Sequence, residues 1–319
     1  MIIQIIYSIL IALGVLVGGF LWQTTLSGIN RKIIGRYQKR YGPKFYQQFR
    51  DIFKLMSKRG ITHGWVYSFG VVMALGGVAA TVMFMPVGNI VPFAGIDNFF
   101  IYVYLFAVGM LGMAMSAAGS GNPLAGIGVM RALTQMVAYE VPFMIVILAM
   151  IFGHKTSSVS ELASIQQTAG FLSWNLVKMP IGTVVGFICL LGMLGKKPFE
   201  TYIAPAELAS GPMVEYGGKQ LGMLMIMHEL MTFMEVALFV NLFLGGAAPF
   251  PGTEGTVWGT ITSLAIFIIK YFVVYELAAL ISNALGRFKI DQVVKYFYRV
   301  PISLAIIQAM IVVFLRWGV

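Results

Sequence analysis

The stretch Gln220–Gly245, QLGMLMIMHELMTFMEVALFVNLFLG, is long and apolar enough to cross a bilayer, yet it holds His228, Glu229 and Glu235. A crossing needs roughly 20 mostly apolar residues. A carboxylate at membrane depth is costly unless it is paired, solvated or protonated. This one segment therefore points to an all-α polytopic membrane chain that keeps acids inside its bundle. The acids also continue a cluster, because five of the chain's twelve acidic residues run from Glu200 through Glu207, Glu215 and Glu229 to Glu235.

Outward from that segment, similar stretches cover about 3–28, 64–85, 98–118, 126–152, 171–195, 256–283 and 299–317, giving about eight spans in one transmembrane domain over residues 1–319. The chain is 59% hydrophobic and 11% charged, with a mean hydropathy of +0.85, whereas soluble domains carry about 25% charge. The strict alternation of a membrane β-barrel is absent. The apolar first segment lacks a basic leader and reads as a span rather than a cleavable signal.

Orientation follows the basic residues of the short loops. Loops at about 29–63, 196–219 and 284–298 hold most of the Lys and Arg, including Arg31, Lys32, Arg36, Lys196, Lys197, Arg287 and Lys289. Lys155 is the one basic residue near 86–97, 153–170 and 246–255. The basic loops are expected in the cytoplasm and both termini outside, in a cell membrane. The net charge of +10 is then a cytoplasmic collar and implies no nucleic-acid role. From Pro43 to Lys58, Phe45, Tyr46, Phe49, Ile52, Phe53 and Met56 share one helical face. That pattern predicts an amphipathic helix at the cytoplasmic surface, lying on anionic lipid, lining a site entrance or docking a partner.

A single cysteine, Cys189, excludes an internal disulfide and a cluster needing about four thiolates. Histidines at 63, 154 and 228 are scattered, and neither zinc spacing nor a Gly-rich phosphate loop is present. No metal site or cofactor is expected in this chain, and it has no catalytic centre of its own. What remains is a set of ionisable groups in apolar segments. Arg131, Gln135 and Tyr139 fall at i, i+4 and i+8 and make a polar stripe; Arg131 is either buried or snorkels to the interface. Glu140 lies half a turn out of phase with Arg131 and cannot pair with it on one helix. Glu229 and Glu235 are six apart, as are Lys270 and Glu276, so pairing between helices is expected, and such Glu and Lys groups are the material of a proton relay.

Several ordered motifs resemble one family. They are Gln38-Lys-Arg40-Tyr-Gly42-Pro43 with Gln47, Asp51 and Lys54; Arg131-Ala-x-x-Gln135-Met-x-x-Tyr139-Glu140-x-Pro142; Pro198-Phe199-Glu200 running to Glu207 and Glu215-Tyr216; and Arg287-Phe-Lys289-Ile-Asp291-Gln292. Together they resemble the respiratory complex I subunit at the junction of its membrane and peripheral arms (subunit 1, or H in bacteria). They are similar too to its relatives in membrane-bound energy-converting [NiFe] hydrogenases and sulfur reductases.

The resemblance implies a subunit that anchors the peripheral redox arm and couples electron transfer to H⁺ or Na⁺ translocation. Implied partners are a [NiFe]-hydrogenase-like large subunit, an iron–sulfur small subunit and antiporter-like membrane subunits, with iron–sulfur clusters and a [NiFe] centre held by those partners. Implied coupling groups are Arg131, Glu140, Glu200, Glu207, Glu215, Glu229, Glu235, Lys270 and Glu276. The implied arm interface is Arg36, Gln38, Arg40, Asp51, Lys54, Arg287, Lys289 and Asp291.

Departures from the family pattern narrow this. Met193-Leu-Gly-Lys196 stands where quinone-reducing members carry Glu-Thr-Asn-Arg, and Ile203 and Pro205 stand where two acids are usual. Glu200 replaces an Asp, and the first loop is shorter. These features fit a ferredoxin-dependent, quinone-independent complex. A quinone-reducing complex with a degenerate pocket and a stand-alone cation transporter remain alternatives.

Overall fold

The computed structural model describes residues 2–168, 170–247 and 257–314. Its helices are α1 (Ile2–Tyr37), α2 (Gln47–Met56), α3 (Trp65–Phe84), α4 (Phe99–Gly119), α5 (Pro123–His154), α6 (Val159–Thr168), α7 (Asn175–Lys178), α8 (Pro180–Met193), α9 (Pro205–Leu208), α10 (Gly218–Phe243), α11 (Val257–Ala284), α12 (Ile290–Arg299) and α13 (Pro301–Phe314). Among the described residues the fold is all-α, and seven helical stretches are long and apolar enough to cross a membrane. The chain is a multi-pass membrane protein.

The eighth expected span needs correction. Residues 171–195 do not form one helix: a short turn at Phe171–Ser173 and α7 precede α8, which has 14 residues. At 1.5 Å per residue α8 covers roughly 21 Å, short of a full hydrocarbon core. The break falls at Pro180, which supplies no N–H; the residue before it, Met179, leaves the helical region at φ −124° and ψ 60°. Buried Asn175 fixes the broken stretch, donating Nδ2–H to the Leu242 carbonyl at 2.7 Å.

Two boundaries also move. α1 continues to Tyr37, so Arg31, Lys32 and Arg36 ride on a helix rather than a loop. The last expected span becomes α12 followed by α13, with Pro301 between them; its end at 315–317 lies outside the described residues, as do 248–256. Asn122 caps α5, its side chain accepting from Leu124 N at 2.8 Å.

α10 is the central post. Every residue from Glu229 to Phe243 is buried, so its acids face protein on all sides and not lipid. α3 and α4 pack through small residues: a Cβ on Gly112 would lie 2.4 Å from Ala74 N, and one on Gly77 would lie 2.5 Å from Gly109 N. α2 lies across α1 and α10. Its orientation differs from the expected one. Gln48 and Ile52 are buried, while Phe45 and Phe53 point outward, with Phe49 edge-on to Phe20 of α1 at 6.3 Å.

Candidate functional site: a line of buried acids

The acidic loop 196–217 is held against the bundle at two places. Phe199 packs on Phe297 (4.8 Å), Tyr296 (5.8 Å) and Phe288 (6.2 Å), and Phe288 N donates to the Pro198 carbonyl at 2.9 Å. Glu207 sits between two arginines: Arg131 Nη1 donates to Oε2 at 2.8 Å and Arg287 Nη2 to Oε1 at 2.6 Å. The Arg131 hydrogen bond, reinforced by the Arg287 charge, holds the Glu207 carboxyl below the usual range.

The stripe on α5 therefore faces this loop. Gln135 donates to the Gly192 carbonyl at 3.0 Å and accepts a short bond from Thr201, while Tyr139 is buried against Gly192. Glu215 is fixed at the start of α5 and α3: Asn122 Nδ2 donates to it at 2.5 Å and His63 Nε2 lies 3.5 Å away. Glu200 is half-buried in the same loop.

The deeper acids lie along three adjoining cavities. The first, 390 Å³, is lined by Ser27, Gln48, Lys196, His228, Glu229 and Tyr275 among others. His228 also lines the second, 30 Å³, with Gln135, Tyr139 and Tyr202. Tyr139 also lines the third, 40 Å³, with Tyr102, Glu140 and Glu235. A cavity of about 10–15 Å³ suffices for one water, so all three are large enough to hydrate the acids.

Glu229 is satisfied by protein. Ser27 Oγ donates at 2.7 Å and Gln48 Nε2 at 3.0 Å, tying α1, α2 and α10 together. Glu235 and Glu276 are different: both are buried, and neither carboxylate has a hydrogen-bond partner on any of its oxygens.

The expected Glu–Lys pairs between helices are not formed. Among the described residues the ion pairs are His63–Glu215, Arg131–Glu207 and Arg287–Glu207, all on the side of the basic loops. Lys270 reaches away from the acids, donating to the Leu244 and Gly246 carbonyls at 2.6 and 3.0 Å with Trp174 at 4.0 Å. Helical spacing says which residues share a face. It cannot say how far a neighbouring helix is rotated, and that rotation sends Lys270 to carbonyls.

The cation that does face these acids is Lys196, which composition marks only as a loop charge. Its Nζ lies 4.0 Å over the Tyr275 ring at the wall of the largest cavity. Burial lowers it to about 8, against the opposing pull of Glu276, Glu229 and Glu235. The signal available in sequence was its place at the end of Met193-Leu-Gly-Lys196.

Of the expected interface residues, Arg36, Gln38, Arg40, Lys54, Lys289 and Asp291 are exposed, and all occupy the basic-loop side. Gln38 donates to Asn283 at 3.4 Å and accepts a short bond from Arg40. Half-buried Asp51 accepts from Gln47 at 2.8 Å. Arg287 is engaged by Glu207, so its charge is already neutralised within the chain.

Comparison with known proteins agrees with this architecture. A family model described as NADH dehydrogenase matches residues 9–313. The chain is 30% identical over 313 residues to the H component of the F(420)H(2) dehydrogenase of Methanosarcina mazei, covering 91% of this chain and 89% of that protein. It superimposes on a chain of the membrane-bound sulfane sulfur reductase, an archaeal respiratory membrane complex, with a TM-score of 0.88 and 36% identity. That match covers 95% of this chain and 99% of the other.

Proposed function

The chain belongs to the NADH dehydrogenase family, and from that premise we propose that it anchors the redox arm of a complex I-like, ferredoxin-dependent respiratory complex. Its buried acids couple electron transfer to H⁺ or Na⁺ translocation. Iron–sulfur clusters, and a [NiFe] or sulfur-reducing centre, belong to the partner subunits. The basic collar with Arg36, Gln38, Arg40, Asp51, Lys54, Lys289 and Asp291 docks a [NiFe]-hydrogenase-like large subunit and an iron–sulfur small subunit. The far end of the acid line meets antiporter-like subunits.

The observation that carries this reading is the continuous line from Glu229, through His228 and Tyr139, to Glu140 and Glu235. A buried carboxylate with no protein partner, such as Glu235, is stable only when hydrated or protonated. Either condition lets it exchange a proton as nearby charge changes. Glu207 and Glu215 hold the loop between the collar and this line, and Glu200 and Glu276 flank it.

The test is ion uptake per electron in the reconstituted complex carrying Glu235→Gln or Glu140→Gln. The reading expects assembly and electron transfer to persist while ion uptake falls. Unchanged uptake in an assembled variant assigns the acid a structural role.

A second reading, reduction of a quinone, is favoured by the 390 Å³ cavity beside α2. Against it stand Ile203 and Pro205 in place of acids and the absence of an acid and amide before Lys196. Quinone turnover that is blocked by pocket inhibitors would establish it.

A further inference from the structure

The polar groups of α10 do not stop at Glu235. Asn241 follows six residues on, about 9 Å further along the axis. It is 1% exposed, and its Oδ1 has no hydrogen-bond partner. That oxygen lies beside Gly246, 2.8 Å from where a Cβ on Gly246 would stand.

Here α10 ends, remote from the basic loops. Gly245 and Gly246 take positive φ of 65° and 53°, and Gly246 N returns to the Val240 carbonyl at 3.1 Å. A helix end presents carbonyls without helical partners and a partial negative charge. Gln166 donates to the Asn241 and Leu242 carbonyls, each at 3.2 Å, and Asn175 donates to Leu242 as well. The Leu244 and Gly246 carbonyls are taken by Lys270.

Two carbonyls and a buried amide oxygen form a small oxygen socket, the kind of ligand set that replaces the hydration shell of a monovalent cation. Lys270 puts an ammonium into it, backed by the Trp174 ring at 4.0 Å. None of the ion pairs among the described residues involves it.

We propose that Lys270 is a tethered cation filling an oxygen socket at the end of the buried acid line, and that it keeps free H⁺ and Na⁺ from crossing this subunit there. Cations enter the line from the basic-loop side and meet a fixed positive charge at the other end. The line then has to discharge sideways into a neighbouring subunit. The amide–carbonyl contacts of Gln166 and Asn175 position the socket, and Lys270 supplies its charge.

The test is passive ion flux through the whole complex in sealed liposomes, without electron donor or acceptor, under an imposed H⁺ or Na⁺ gradient. The result is therefore independent of whether the acids carry ions during turnover. Lys270→Gln keeps a donor for the carbonyls and removes the charge, Lys270→Met removes both, and Lys270→Arg keeps the charge. The expected result is a severalfold rise in H⁺ or Na⁺ flux in the two neutral variants and wild-type tightness in Lys270→Arg. Wild-type tightness in an assembled neutral variant overturns the proposal. So does failure of both neutral variants to assemble, which would make the lysine a folding element only.

Discussion

Gln48 of α2 donates its side-chain amide to Glu229 of α10 at 3.0 Å, from a position 4% exposed, so a surface helix is pinned to the central post through a buried carboxylate. Removing a donor from a buried charged acceptor costs about 1–3 kcal/mol. Gln48→Leu should therefore loosen α2, and Ser27→Ala should add to the effect through the other carboxylate oxygen. Faster hydrogen–deuterium exchange over residues 47–56 in the assembled complex is the expected readout, and unchanged exchange would refute the pin.

Glu207 behaves as an acid-sensitive clasp. Its folded carboxyl is held below the usual range by the bond from Arg131 and then by Arg287. A depressed carboxyl contributes stability above its unfolded pKa, about 4.3, and loses it as pH falls through the folded value. Proteolysis of loop 196–217 should accelerate below about pH 4 in the wild type. In Glu207→Gln it should be fast already at neutral pH.

Lys196 sets an alkaline limb. Burial lowers it to about 8, so the folded chain releases this proton before the unfolded chain does. The strain of its buried charge is present below about 8 and is relieved as pH rises toward the ordinary lysine value. Coupled ion uptake should change with a midpoint near 8 in the wild type. Lys196→Arg, which stays charged, should flatten that limb, and Lys196→Met should resemble the high-pH state. A limb that survives Lys196→Arg would move the titration to another group.

Gly112 tests the packing of α3 on α4. A Cβ there lies 2.4 Å from Ala74 N, a backbone atom that cannot swing aside. Overpacking costs about 1–3 kcal/mol or more, so Gly112→Ala should lower the thermal stability of the purified complex. Gly126, with open space around its Cβ position, is the control: Gly126→Ala should leave stability unchanged or slightly raised.

Much of this architecture was legible from local composition. Runs such as 220–245 show their length and apolarity directly, and the basic residues at 31–59 and 287–299 mark one side. The polar stripe Arg131, Gln135 and Tyr139 needed only helical periodicity. The helical break near Pro180 was hidden because hydropathy averages over a proline, while the chain does not.

The sequence by itself determined that this is an all-α, multi-pass membrane chain with acids in its interior, because both properties follow from residue type and run length. The order of its motifs also carried the family resemblance. Only the tertiary structure decided which group each charge meets. Glu207 joins Arg131 and Arg287, Glu229 joins Ser27 and Gln48, and Lys270 joins two carbonyls while Glu235 stays unpartnered. The reason is geometric: a partner on another helix depends on how the helices are rotated and stacked, and spacing along one helix does not contain that.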